Sequence, residues 1–153
     1  MTETRSTPTR DETLRLMDDG WAGFHGRVTS MPTEQLELHI GDGWTRKQML
    51  AHIATWHDLT VDRLTRFADS GEPSDLAEGE DAINARAARA AEGRTTGEIV
   101  LSMADSYRRL RREVSTLTDA QLAANEGWAA SIIAGNSHRH YAEHLPDLDA
   151  GRR

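Results

Sequence analysis

The sequence contains no cysteine. That absence removes disulfides, thiolate metal ligands and a cysteine nucleophile together, and it fits a reducing cytoplasm as the expected location. Any thiol chemistry must then use a sulfur brought by a cofactor or substrate. Lysine is nearly absent too. Lys47 is the only one and the other positive charges are arginine, so a Schiff-base mechanism would rest on that single side chain. No apolar run approaches the roughly 20 residues of a membrane span, and residues 1–10 lack the hydrophobic centre of a signal peptide. A net charge of −7 argues against nucleic acid or an anionic membrane as a general partner. No stretch reads convincingly as a strand, and no repeat is visible.

What remains is a chain of 153 residues, 37% apolar and 28% charged, enough for one domain with a real core and a charged surface. The reading is a frayed tail over residues 1–9, a single domain over 10–148 and a polar tail over 149–153. Thr9 and Glu12 form a capping-box pattern, followed by Leu14, Met17, Trp21, Phe24 and Val28 at helical spacing. His25 and His39 lie off this seam and are expected at the surface or an edge. Residues 33–44 read as a connection, with a short turn of helix at 34–38. A second capping box, Thr45 to Gln48, opens a long helix to about Phe67, with Met49, His52/Ile53, Trp56, Thr60, Leu64 and Phe67 inward. His57 is rotated by roughly 100° and is expected to point elsewhere.

Residues 69–80 form an acidic loop, and 81–92 a helical segment anchored by Ile83, with Asn84 the unusual residue. Thr96 is expected to cap the next helix, which carries Val100, Met103, Tyr107, Leu110, Val114 and Leu117 inward. The Arg108–Arg112 cluster lies mostly off that stripe and reads as a solvated face pairing with local acids. A third capping box joins Thr118 to Gln121, and Gly127 and Trp128 fall in a connection. The last helix runs from about Ala130 to Leu145 or Leu148, with Ile133, Asn136/Ser137, His140, His144 and Leu148 inward. Four long amphipathic helices with one long crossover predict an all-α four-helix bundle.

An ordinary bundle has leucine where this one has His52, His140 and His144. A buried polar group without a partner costs about 1–3 kcal/mol, against a total stability of only about 5–15 kcal/mol. A divalent metal compensates directly, because neutral imidazole is a common ligand. His140 and His144 are four residues apart, one helical turn, which lets both imidazoles close on one ion. Three nitrogen ligands leave a position open, as in catalytic zinc sites. An HxxxH pair alone reads more readily as a structural or surface feature than as a ligand pair, and His52 on another core stripe is what evens the two readings. His138 is expected on a different, solvent-facing side, and Glu143 is a reserve ligand.

Gly43-Trp44-Thr45, the Leu50–Trp56 stretch around His52, Asp81-Ala82-Ile83-Asn84 and the closing Asn136–His144 segment resemble the DinB/YfiT-like four-helix-bundle superfamily. The resemblance covers about residues 10–148. That superfamily includes bacillithiol- and mycothiol-dependent transferases, the N-terminal domain of mycothiol-dependent maleylpyruvate isomerase, and the ClbS/DfsB branch acting on reactive natural products. In its metal-binding members one ligand comes from the second helix and two, four residues apart, from the last. The pattern falls on His52, His140 and His144. The resemblance implies a zinc- or nickel-dependent enzyme that transfers a low-molecular-weight thiol such as mycothiol to an electrophilic small molecule. Trp56, Asn84 and Tyr141 are expected to line the substrate. It also leaves open a ClbS-like hydrolase or self-resistance protein, with or without metal, and a non-catalytic stress or binding protein. By the same analogy a homodimer is expected.

Overall fold

The structure, a computed structural model, describes residues 6–149. Residues 1–5 and 150–153, the greater part of the expected tails, lie outside the described residues, and Asp149 is still helical. The elements are α1 (Arg10–Thr29), α2 (Thr33–Leu36), α3 (Arg46–Ser70), α4 (Glu80–Glu92), α5 (Thr96–Ser115), α6 (Asp119–Asn136) and α7 (His138–Asp149). Among the described residues the only β-type pairing is an isolated bridge between His39 and Thr45. The molecule is an all-α bundle. Its four long members are α1, α3, α5 and the α6–α7 pair, while α4 lies in the crossover from α3 to α5 and packs on α3.

Local chemistry sets the helix starts. Thr45 and Gln48 close a full capping box on α3, and Thr118 and Gln121 do the same on α6. At α1 only half the box forms: the Thr9 hydroxyl accepts from the Glu12 amide, but the Glu12 carboxylate turns back to that hydroxyl at 3.1 Å. The expected cap at Thr96 is corrected, because Thr95 accepts from the Glu98 amide and Thr96 is already helical and buried. Gly71 ends α3 with φ 73°, the left-handed conformation that glycine adopts without steric cost.

Helix α3 touches α4, α5, α6 and α7, and a helix so enclosed needs more than one apolar stripe. Leu50, Ile53, His57, Thr60, Leu64 and Phe67, at alternating three- and four-residue steps, are all at most 2% exposed. Met49, His52 and Trp56 form a shoulder beside that stripe, with His52 8% exposed. The expectation that His57 points away from the core is therefore corrected. It lies on the deepest line of the helix.

The closing run is interrupted twice, first at the connection expected around Gly127 and then inside the single helix expected from about Ala130 to Leu148. Residues 124–127 leave helical geometry, with Asn125, Glu126 and Gly127 at φ 53°, 58° and 77°. Left-handed backbone costs a residue with a Cβ about 1–2 kcal/mol. The turn sets Trp128 against Phe67, ring centroids 5.2 Å apart, and beneath Arg63, whose guanidinium carbon is 5.2 Å from the Trp128 ring centre. The second break is Ser137, at φ −130° and ψ −109°, with its hydroxyl donating to Ile133 O at 2.5 Å. Beyond it, α7 lies so close to α1 that a Cβ on Gly20 would sit 3.0 Å from His138 Cβ. His138 is half-buried there, not on an open face.

Arg46, 1% exposed, ties both ends of this assembly together. Its Nε donates to Leu148 O at the end of α7 (3.2 Å), and its Nη1 to Leu38 O after α2 (3.3 Å). At the surface, Arg108, Arg109 and Arg111 pair with Asp105, Asp58 and Asp18. This is the solvated basic face expected for that cluster.

Candidate metal centre

His52 comes from the middle of α3, and His140 and His144 from α7. Their side chains offer ligand nitrogens that all lie within 4.8 Å of one another. His52 Nε2 and His140 Nε2 are 2.9 Å apart. The His144 ring centroid is 5.2 Å from that of His52 and 4.7 Å from that of His140. Each of these α7 rings projects from the side of the helix that faces the shoulder of α3.

Their environment keeps two of the imidazoles uncharged. Burial pushes His52 down to about 4, helped by repulsion from His144 and opposed by its hydrogen bond to Asn84. Burial likewise pushes His140 down to about 3, with His52, His144 and His57 adding to it. Neutral rings have lone pairs to give. His144 Nδ1 lies 2.9 Å from Asp147 Oδ2. A carboxylate accepts, so His144 donates from Nδ1 and keeps Nε2 for the cluster, the arrangement that orients ligating histidines elsewhere.

These residues fit a divalent ion of the zinc or nickel kind. Three nitrogens of one chemical type converge from two helices. His140 Nε2, its nitrogen on the cluster side, meets His52 Nε2, and its buried Nδ1 has no hydrogen-bond partner among the described residues.

The rings form part of the wall of a cavity of about 580 Å³. Trp44 and Trp56 line it, as do Asn84, Arg63, Glu80 and Glu143. Trp44 leans on His52, ring centroids 5.1 Å apart. Asn84 Oδ1 meets both Trp56 Nε1 (2.8 Å) and His52 Nδ1 (2.9 Å). Tyr141, expected to line the substrate, is not on this wall. It is 1% exposed and turned the other way, with its hydroxyl 2.6 Å from His57 Nε2. The physical reason is the 100° step between neighbours on a helix: His140 and Tyr141 cannot share a face.

Behind the histidine cluster lies a polar chain that the sequence reading missed. Ser106 Oγ donates to Met103 O at 2.9 Å, and so is free to accept from His57 Nδ1 at 2.8 Å. His57 Nε2 in turn accepts the Tyr141 hydroxyl proton. Burial pushes His57 down to about 3, against a hydrogen bond to the Met103 backbone carbonyl that favours its charged form. The signal for His57 is the second three–four stripe of α3. Nothing local signals Ser106, 49 residues away.

The fold and the sequence place this chain among known proteins. No curated protein gives a significant match. A crystal structure of a histidine-to-alanine mutant of mycothiol-dependent maleylpyruvate isomerase matches with a TM-score of 0.76 at 20% identity, over 98% of this chain and 64% of that one. The present chain thus spans less than two thirds of that protein's length, and at this identity the likeness is one of fold. The model of the DinB superfamily matches residues 16–146, most of the sequence, and the chain therefore belongs to the DinB superfamily.

Proposed function

We propose that this protein is a metal-dependent enzyme that joins a low-molecular-weight thiol of the mycothiol type to an electrophilic small molecule. The observation that carries the reading is the convergence of His52, His140 and His144 on the wall of a cavity of about 580 Å³, a volume suited to small-molecule ligands. The likeness to a mycothiol-dependent isomerase supports the thiol, and the lack of cysteine means that the sulfur comes from outside the chain.

A zinc or nickel ion held by the three histidines would supply the positive charge that keeps a thiol deprotonated at neutral pH. The protein's own residues do the rest. Asp147 fixes the orientation of His144. Trp44 and Trp56 give the cavity apolar walls. Glu143, on the same wall, can take the proton that a thiol loses. Arg63, held by Ser74 O at 2.9 Å and by the Trp128 ring, offers a fixed cation to an anionic group on the substrate. A cytoplasmic homodimer is the form we propose for it.

The test is to load purified protein with zinc or nickel and incubate it with mycothiol and a panel of electrophiles, following thiol loss. Metal-dependent thiol consumption that disappears in His140→Ala supports the reading. Metal-loaded protein that consumes no thiol with any electrophile refutes it, and turnover without thiol would assign the nucleophile to water.

A further inference from the structure

His52 has two ring nitrogens, and only the one without a proton can hold a metal. Its Nε2 faces His140 and its Nδ1 faces Asn84. A primary amide can present either oxygen or NH2 to a neighbour, so the Asn84 contact alone does not say where the His52 proton sits. Trp56 settles it. An indole N–H is a donor only, and Trp56 Nε1 lies 2.8 Å from the same Asn84 atom. That atom is therefore the oxygen. His52 must then donate from Nδ1, and its neutral ring keeps the Nε2 lone pair directed at His140.

We propose that Asn84 and Trp56 are positioning residues that lock the tautomer of His52, Trp56 acting by preventing the Asn84 amide from turning over. The lock joins two elements. His52 and Trp56 are one turn apart on α3, and Asn84 reaches both from the crossover helix α4. Without a metal, the lock obliges His140 to supply the hydrogen in the 2.9 Å contact from its own Nε2, and its Nδ1 lone pair is left buried without a donor. The purpose of the lock rests on the metal reading above, but its existence does not.

The experiment uses the whole chain, metal-free, with 15N-labelled histidine, reading tautomers from the ring-nitrogen shifts, followed by zinc titration against a competing chelator. In the wild type His52 is expected as the Nδ1–H form. Trp56→Phe releases the amide, so an Nε2–H population appears and zinc affinity falls about 10-fold. Asn84→Leu removes the acceptor and lowers affinity by about 10- to 100-fold, the usual range for an outer partner of a ligating histidine. Asn84→Asp, which can only accept, restores the Nδ1–H form and the affinity. An Nε2–H signal for His52 in the wild type overturns the proposal even if no variant folds. An Nδ1–H signal unchanged in both Trp56→Phe and Asn84→Leu overturns it as well. Wild-type protein that takes up no zinc would count against the proposed function, while the spectrum would still decide the lock.

Discussion

The hydroxyl of Tyr141 lies 2.6 Å from Nε2 of His57, joining α7 to α3 directly behind the cavity histidines. Both side chains are at most 1% exposed, so neither has water as an alternative partner. His57 is held from its other side by Ser106 at 2.8 Å. The pair therefore fixes how α7 sits on α3, and with it where His140 and His144 point.

Tyr141→Phe keeps the ring and its stacking on Phe24, whose centroid is 5.6 Å away. It removes only the donor. A buried acceptor left unpaired costs about 1–3 kcal/mol, and urea denaturation should show a loss of that size with an unchanged far-UV spectrum. A change below about 0.5 kcal/mol would mean that the contact carries no weight, since that is the scatter of neutral substitutions.

The neutral state of His57 makes stability depend on pH. Its folded pKa, about 3, lies below the ordinary histidine value of 6.5. Between these values the unfolded chain binds the proton and the folded chain does not, so stability is full above about 6.5 and falls as the pH drops. Each such imidazole adds a slope of up to about 1.4 kcal/mol per pH unit. In the metal-free protein His52 and His140 shift in the same direction. Denaturation between pH 7 and pH 4.5 should show the fall, and His57→Gln should show a shallower one than the wild type. An equal slope in both would contradict the assignment to His57.

Gly20 and Gly23 lie on the same helix but in different surroundings. A Cβ at Gly23 meets nothing within 4 Å, whereas at Gly20 it meets His138 at 3.0 Å. Gly23→Ala should stabilise by about 0.5–1 kcal/mol through helix propensity. Gly20→Ala gains the same propensity but must push α7 outward, an overpacking cost of about 1–3 kcal/mol. Thermal unfolding should therefore move up for Gly23→Ala and down for Gly20→Ala. A rise in both would mean that α7 yields without cost.

The parts of this structure legible in the sequence were those written locally. The boxes at Thr45 and Thr118 mark helix starts because their partners lie three residues away. The three histidines share a region because helical period sets each on an inward shoulder. The rest depends on contacts across the chain. Asn84 reaches His52 across 32 positions, and His57 reaches Tyr141 across 84. Reading α3 as a helix with one buried face merged its two stripes and hid His57, and the place of Tyr141 beside His140 drew it toward the cavity. The break at Ser137 has no local marker beyond the Gly135-Asn136 pair before it.

The proposed centre depends most on three imidazoles from α3 and α7 holding one ion. Metal analysis of untagged protein, with zinc titration of the stripped form, measures this directly. The expected result is about one divalent ion per chain, lost in His140→Ala and in His144→Ala while the helical spectrum stays as it is. An uptake left unchanged by both substitutions, or no uptake by the folded wild type, would contradict it.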